Sequence, residues 1–228
     1  MGWEEGDLKR VMKYIRDEAP IIVHIDLEAS LKFLLKDTHY RNQFETNTSR
    51  GTLSHDTRRG WERRMFGGIY DKSNGFERVK YGVLNMVNDP KGIESCVYYG
   101  DSFFVLKKVR LRTSFADRDT GYDDAILASC EYYCHILNGY TDQELNNVKD
   151  VAQHIQDDPK YFKSSSYNSY YYKEIQIHGE LRFDTNIAAI RVNNRHRYQL
   201  DIIQQIKDFA KKNGITDVTF QEGESLLN

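Results

Sequence analysis

Two short stretches constrain the fold more than anything else in this 228-residue chain. Ile21-Ile22-Val23-His24-Ile25-Asp26 and Glu174-Ile175-Gln176-Ile177-His178-Gly179 both alternate apolar and polar side chains. Successive side chains of a β-strand point to opposite faces. The first run therefore sets His24 and Asp26 against Val23 and Ile25. The second lines up Glu174, Gln176 and His178 over Ile175 and Ile177. A strand anchored by its apolar side holds such polar groups in fixed rows. A solvent-exposed edge strand predicts the same pattern, so alternation alone leaves both readings open.

Around these runs the pattern is α+β, with strands in clusters rather than in strict βαβ alternation. Leu8, Val11, Met12 and Ile15 recur at helical spacing and predict an N-terminal helix within residues 1–19. Leu27, Leu31, Leu34 and Leu35 predict a short helix. Tyr81–Val87, Val97–Tyr99, Phe103–Val109 and Val218–Phe220 read as strands. Ile126, Leu127, Cys130, Cys134 and Leu137 predict a helix over 122–138, and Thr141-x-x-Glu144 is a capping box that opens another. These make 120–160 a helical insertion. Ile202, Ile206, Phe209 and Ala210 predict a late helix stopped by Gly214. Residues 41–80 read as a long irregular loop with one helical turn near Trp61–Phe66, a length that points to function. The whole of 1–228 is expected to be one domain.

Composition excludes several classes. The chain has 34 acidic and 32 basic residues, which encodes no general affinity for nucleic acid or anionic membrane. No apolar run is long enough to span a bilayer. The acidic start, Trp3-Glu4-Glu5-Gly6-Asp7, lacks the features of a signal peptide. The expected setting is cytoplasmic, or a host cell entered without a classical signal. Cys96, Cys130 and Cys134 form no disulfide framework, and no metal-ligand spacing is present.

A third polar cluster is Tyr40-Arg41-Asn42-Gln43-Phe44-Glu45-Thr46-Asn47-Thr48-Ser49-Arg50-Gly51. Its hydroxyls and guanidiniums suit a ligand carrying phosphate or carboxamide groups, although turns also collect Asn, Thr, Ser and Gly. No phosphate-binding glycine loop, nucleophile elbow or kinase set occurs.

Tyr40–Gly51, then Gly60-Trp61-Glu62 with Met65-Phe66-Gly67-Gly68-Ile69-Tyr70, then Glu77-Arg78 with Lys80-Tyr81-Gly82-Val83-Leu84-Asn85, resemble successive motifs of domain-of-unknown-function family 3626. Gly100–Leu106 and Glu174–Gly179 resemble its later motifs, so the likeness runs through about residues 20–180. Arg50 stands where the pattern has Asn, and Val79 where it has Pro.

The motif order also resembles the ADP-ribosyltransferases, with His24 on a first strand, a Thr46-Asn47-Thr48-Ser49 run next and Glu174 on a later strand. That resemblance implies a split β-sheet core with flanking helices and long loops. It implies NAD as cosubstrate, Glu174 as the carboxylate that stabilises the oxocarbenium-like ribose, and Asp101 or Asp26 as a base. His24, Asp26, Arg41, Glu45, Thr46, Thr48, Ser49, Arg50, Tyr81 and Gln176 would hold NAD, with Arg41 or Arg50 on its pyrophosphate. It places the acceptor at Tyr167, Tyr170 and Tyr172, in the loop before Glu174. The expected partner is a protein, with a threonine of ubiquitin as one analogy, and neither nucleic acid nor membrane. Tyr172 stands where arginine-modifying toxins carry an acidic residue, which argues against an arginine acceptor. Two other readings stay open: a non-catalytic interaction module, and a hydrolase using Glu174 and His178 as an acid–base pair.

Overall fold

The computed structural model describes residues 3–50, 54–165 and 171–227. Its strands are β1 (Ile21–Ile25), β2 (Lys80–Leu84), β3 (Ser102–Leu106), β4 (Thr113–Ala116), β5 (Leu127–Ala128), β6 (Glu174–Ile177), β7 (Ile187–Val192) and β8 (Asp217–Phe220). They form one mixed sheet in the order β5-β4-β6-β2-β1-β3-β7-β8, antiparallel except for β7 with β8. The fold is α+β. At its centre β1 meets β2 only through Ile21 with Leu84 and Ile22 with Val83, and the ladder stops there.

Register decides which residues share a face. Directly opposed residues of antiparallel strands lie on the same side. Val83 opposes both Ile22 and Glu174, while Gln176 opposes both Tyr81 and Ser114. His24, two residues beyond Ile22, thus lies on the same face as Glu174, Gln176, Tyr81 and Ser114. The opposite face carries Val23, Phe104 and Ile175. There Phe104 stacks on Phe209 of α7 (Leu200–Asn213), which follows the short α6 (Phe183–Asn186), with ring centroids 5.7 Å apart.

Helix α1 (Glu5–Asp17) lies against α5 (Asp142–His154), where Lys149 reaches Asp7 at 2.6 Å. The predicted Thr141–Glu144 capping box opens α5. The helix predicted from its leucines is α2 (Leu27–Leu34), and Gly214 caps α7 at φ 66°. The stretch read as a loop with a single helical turn instead contains α3 (Gln43–Thr46) and the longer helix α4 (His55–Phe66). Arg78 and Glu62, both buried, form an ion pair, and Arg78 also donates to the Tyr70 carbonyl at 2.8 Å. A buried pair so well bonded is costly to break from one side, and it binds α4 to the start of β2.

Two predicted elements are corrected. The helix over 122–138 does not form. Asp117 captures the Ile126 N–H at 2.8 Å, Leu127–Ala128 joins the sheet, and Cys134–Gly139 is a 3-10 helix. Ile126 and Cys134 are exposed while Cys130 and Leu137 are buried, so the five residues share no single buried helix face. Val97–Tyr99 is not a strand but the end of a 3-10 helix, Glu94–Tyr99. The next residue closes that helix, its N–H donating to the Val97 carbonyl at 3.0 Å. Gly100 passes so close to β1 that an added Cβ would stand 2.0 Å from the Ile25 carbonyl carbon. Strands β4 and β7 had no prediction. Among the described residues no helix is long and apolar enough to cross a membrane, and no cluster of metal-ligating side chains occurs.

Candidate active site

Glu174 opens β6 and is 4% exposed. Its neighbours fix it from both directions along the chain. Lys173, on the opposite face, reaches Glu144 of α5 at 2.9 Å and lies over the Tyr140 ring at 3.9 Å. On Glu174's own face three side chains converge on the carboxyl. Thr120 donates to Oε1, Gln176 donates to Oε1 at 2.9 Å, and Tyr172 donates to Oε2 at 3.1 Å. Burial pushes the carboxyl up to about 7, against the Thr120 hydrogen bond; the Asp119 charge adds to the rise, and the Gln176 bond and Arg58 charge oppose it. A buried carboxyl near half-ionisation at neutral pH is suited to charge stabilisation or proton transfer.

The wall above is built by α4. Arg64 donates to the Thr120 carbonyl at 2.6 Å and pairs with Asp123 at 2.6 Å, which sets Thr120 over Glu174. The Arg58 guanidinium lies 4.5 Å from the Tyr81 ring centre and 5.2 Å from that of Trp61. The Tyr81 hydroxyl donates to Glu62 at 3.4 Å, and Tyr172 lies 6.4 Å from Tyr99 between ring centres. Glu174, Gln176, Tyr81 and Tyr172 therefore belong to one cluster. Thr120, Arg58 and Trp61 complete it, and none of the three was singled out from the sequence as a site residue. Only Trp61 carried a signal, in the family-like run Gly60-Trp61-Glu62 and the helical turn read beside it.

The other site candidates are engaged elsewhere. The Nδ1–H of His24 donates to the Gly100 carbonyl at 2.7 Å, and its Nε2 accepts from the Ile93 N–H at 3.1 Å. The backbone donor dictates that tautomer, and burial pulls the imidazole down to about 4, so it stays neutral. Both ring nitrogens are thus bonded to backbone, where a contact with NAD was expected. Asp101 bonds to Arg195 and, at 3.4 Å, to His196; burial pushes its carboxyl up, but these hydrogen bonds and the Arg195 charge hold it at about 2, which disfavours it as a base. Asp26 accepts from Ala29 N at 3.0 Å as the α2 N-cap and pairs with Arg50. Arg41 pairs with Asp37 at 2.7 Å, and Glu45 with His39 at 3.1 Å. Thr46 and Thr48 bond to each other at 3.0 Å, and Ser49 is exposed. None of these contacts involves Glu174. Tyr172, expected at the acceptor, instead holds the Glu174 carboxyl; Tyr167 and Tyr170 lie outside the described residues.

Nor do Glu174 and His178 meet. His178 is bonded by Ser114 at 2.8 Å and Tyr70 at 2.5 Å, four residues along the strand from Glu174, or about 13 Å at strand rise.

The family profile described as "Protein of unknown function (DUF3626)" matches residues 23–227. No curated protein matches the chain. Among solved structures, one similar chain is the DarT of Thermus sp. 2.9 in complex with ADP-ribosylated single-stranded DNA. It is 14% identical with a TM-score of 0.46, covering 92% of this chain and 97% of that one. This neighbour's complex holds ADP-ribosylated single-stranded DNA, whereas a protein partner and no nucleic acid were expected of this chain.

Proposed function

The chain belongs to the DUF3626 family, and we propose that it is an NAD-dependent ADP-ribosyl-transferring enzyme with Glu174 as its charge-stabilising carboxylate. The observation that carries this reading is the Glu174 carboxyl itself, buried, held by Thr120, Tyr172 and Gln176, and raised to about 7.

Breaking the nicotinamide–ribose bond sends its electron pair to the leaving ring and develops positive charge at the ribose carbon, as in glycoside cleavage. A preorganised carboxylate in a water-poor site stabilises that charge without reorganising. An acceptor or water then adds to the carbon and releases a proton to solvent. Trp61 and Tyr81 supply flat surfaces for an aromatic ring. Because Glu174 is 4% exposed, a ligand reaches it by displacing the Thr120 segment or Tyr172.

The test is nicotinamide release from NAD by the wild type and by Glu174→Gln at pH 8. The Gln variant keeps the fold and the size of the side chain. Its rate is expected to drop by about 10²–10³, the usual cost of losing one preorganised electrostatic group. Equal rates would remove Glu174 from the mechanism.

A further inference from the structure

We infer that Arg58 and Gln176 are the ligand-holding pair of this site: Arg58 binds a phosphate of the nucleotide, and the Gln176 amide oxygen accepts a hydroxyl from its sugar. This deepens the NAD reading and rests on it for the identity of the sugar, though not for the anion.

The arginines of α4 divide into two kinds. Arg59 pairs with Asp56 at 3.2 Å, Arg63 with Asp71 at 2.8 Å and Arg64 with Asp123 at 2.6 Å. Arg58 has no carboxylate within ion-pair distance among the described residues, and its buried Nε has no hydrogen-bond partner. The rings of Trp61 and Tyr81 nevertheless hold its guanidinium in place. Stacking of this kind fixes a planar fork, and with its Nε unspent the guanidinium keeps a donor to present to a phosphate.

Gln176 gives the complementary half. It is fully buried, its Nε2 is spent on Glu174 at 2.9 Å, and its Oε1 has no partner. An orphaned buried acceptor costs about 1–3 kcal/mol, and a ligand hydroxyl relieves that. Gln176 opposes Tyr81 across β2 and β6, and Tyr81 lies under Arg58, so both orphans flank Glu174 within one cluster. An anion at Arg58 and a donor at Gln176 are the two ends of a sugar phosphate. Arg41 and Arg50, the arginines expected on the pyrophosphate, are already paired with Asp37 and Asp26.

The experiment is calorimetric titration of the full chain with inorganic pyrophosphate, ADP-ribose and nicotinamide, each variant first checked by thermal melting. Arg58→Gln is expected to weaken pyrophosphate and ADP-ribose at least about tenfold, as loss of a charge-assisted bond does, and to leave nicotinamide unchanged. Arg58→Lys restores part of the affinity, and Arg59→Gln binds as the wild type does. Gln176→Met weakens ADP-ribose but not pyrophosphate. Wild-type affinity for pyrophosphate and ADP-ribose in both Arg58 variants, or no binding of either by the wild type, overturns the assignment of Arg58. Unchanged ADP-ribose affinity in Gln176→Met overturns that of Gln176. Arg58-dependent pyrophosphate binding without any cleavage of NAD upholds the anion site while the NAD reading falls.

Discussion

The His24 and Glu174 ends of one sheet face treat a buried titratable group in opposite ways. His24 is saturated by backbone: Gly100 accepts from one nitrogen and Ile93 donates to the other. Glu174 is held only by side chains, and its nearest amide, Gln176, keeps an unused acceptor. Burial acts on both, pulling the imidazole down to about 4 and pushing the carboxyl up to about 7. The first group thereby becomes inert at neutral pH, and the second becomes titratable there. Backbone partners make a polar group part of the scaffold. Side-chain partners leave it able to exchange them for a ligand.

The strongest way to break the scaffold end is Gly100→Ala. Its φ is 145°, and the added Cβ would stand 2.0 Å from the Ile25 carbonyl carbon. The expected loss exceeds about 4 kcal/mol, in the range that only a few structural mechanisms reach. Denaturant unfolding reads it, and a stability within 1 kcal/mol of wild type, roughly the average cost of a point mutation, would show that the chain can move off β1. His24→Ala comes next. It orphans the Ile93 N–H and the Gly100 carbonyl, at a cost of about 2–4 kcal/mol in all. The surviving folded protein is expected to cleave NAD at a rate close to wild type. A normal melting temperature with lost NAD affinity would instead make His24 a ligand residue.

The smallest expected effect sharpens the Glu174 end. Thr120→Val removes a donor that favours the ionised carboxyl, so the midpoint of activity against pH moves above 7. The sign also governs stability. A carboxyl raised from 4.5 to about 7 stabilises the fold fully below the unfolded value, and that contribution disappears as pH rises through 7. The shift corresponds to about 3 kcal/mol at most. Coincident pH profiles for Thr120→Val and the wild type would mean that the Thr120 hydroxyl does not control the carboxyl.

Legibility in the sequence followed the range of the interaction. β6 was readable because alternation is local, and α5 because its capping box spans three residues. Periodicity failed over 122–138, where a carboxylate nine residues away takes the backbone N–H that a helix needs. The carboxylate at the centre of the proposed site lies on a strand that alternation marked, but its role was named only through the resemblance. Its partners Thr120 and Arg58 could not be named, because α4 brings them there through Arg64 and through stacking on Tyr81. The polar run Thr46–Ser49 drew notice for its composition, yet its hydroxyls satisfy one another locally. Asn42 adds to this by capping α3 with its side chain, a turn role that the same composition serves equally well.

The most direct measurement is nicotinamide release from NAD followed from about pH 5 to pH 9, wild type beside Glu174→Gln. The account predicts a wild-type rate that rises with a midpoint near 7 as Glu174 ionises, and a variant about 10²–10³ slower with no such rise. A wild type that releases no nicotinamide at any pH, or a Gln variant that follows the same curve at the same rate, would contradict it.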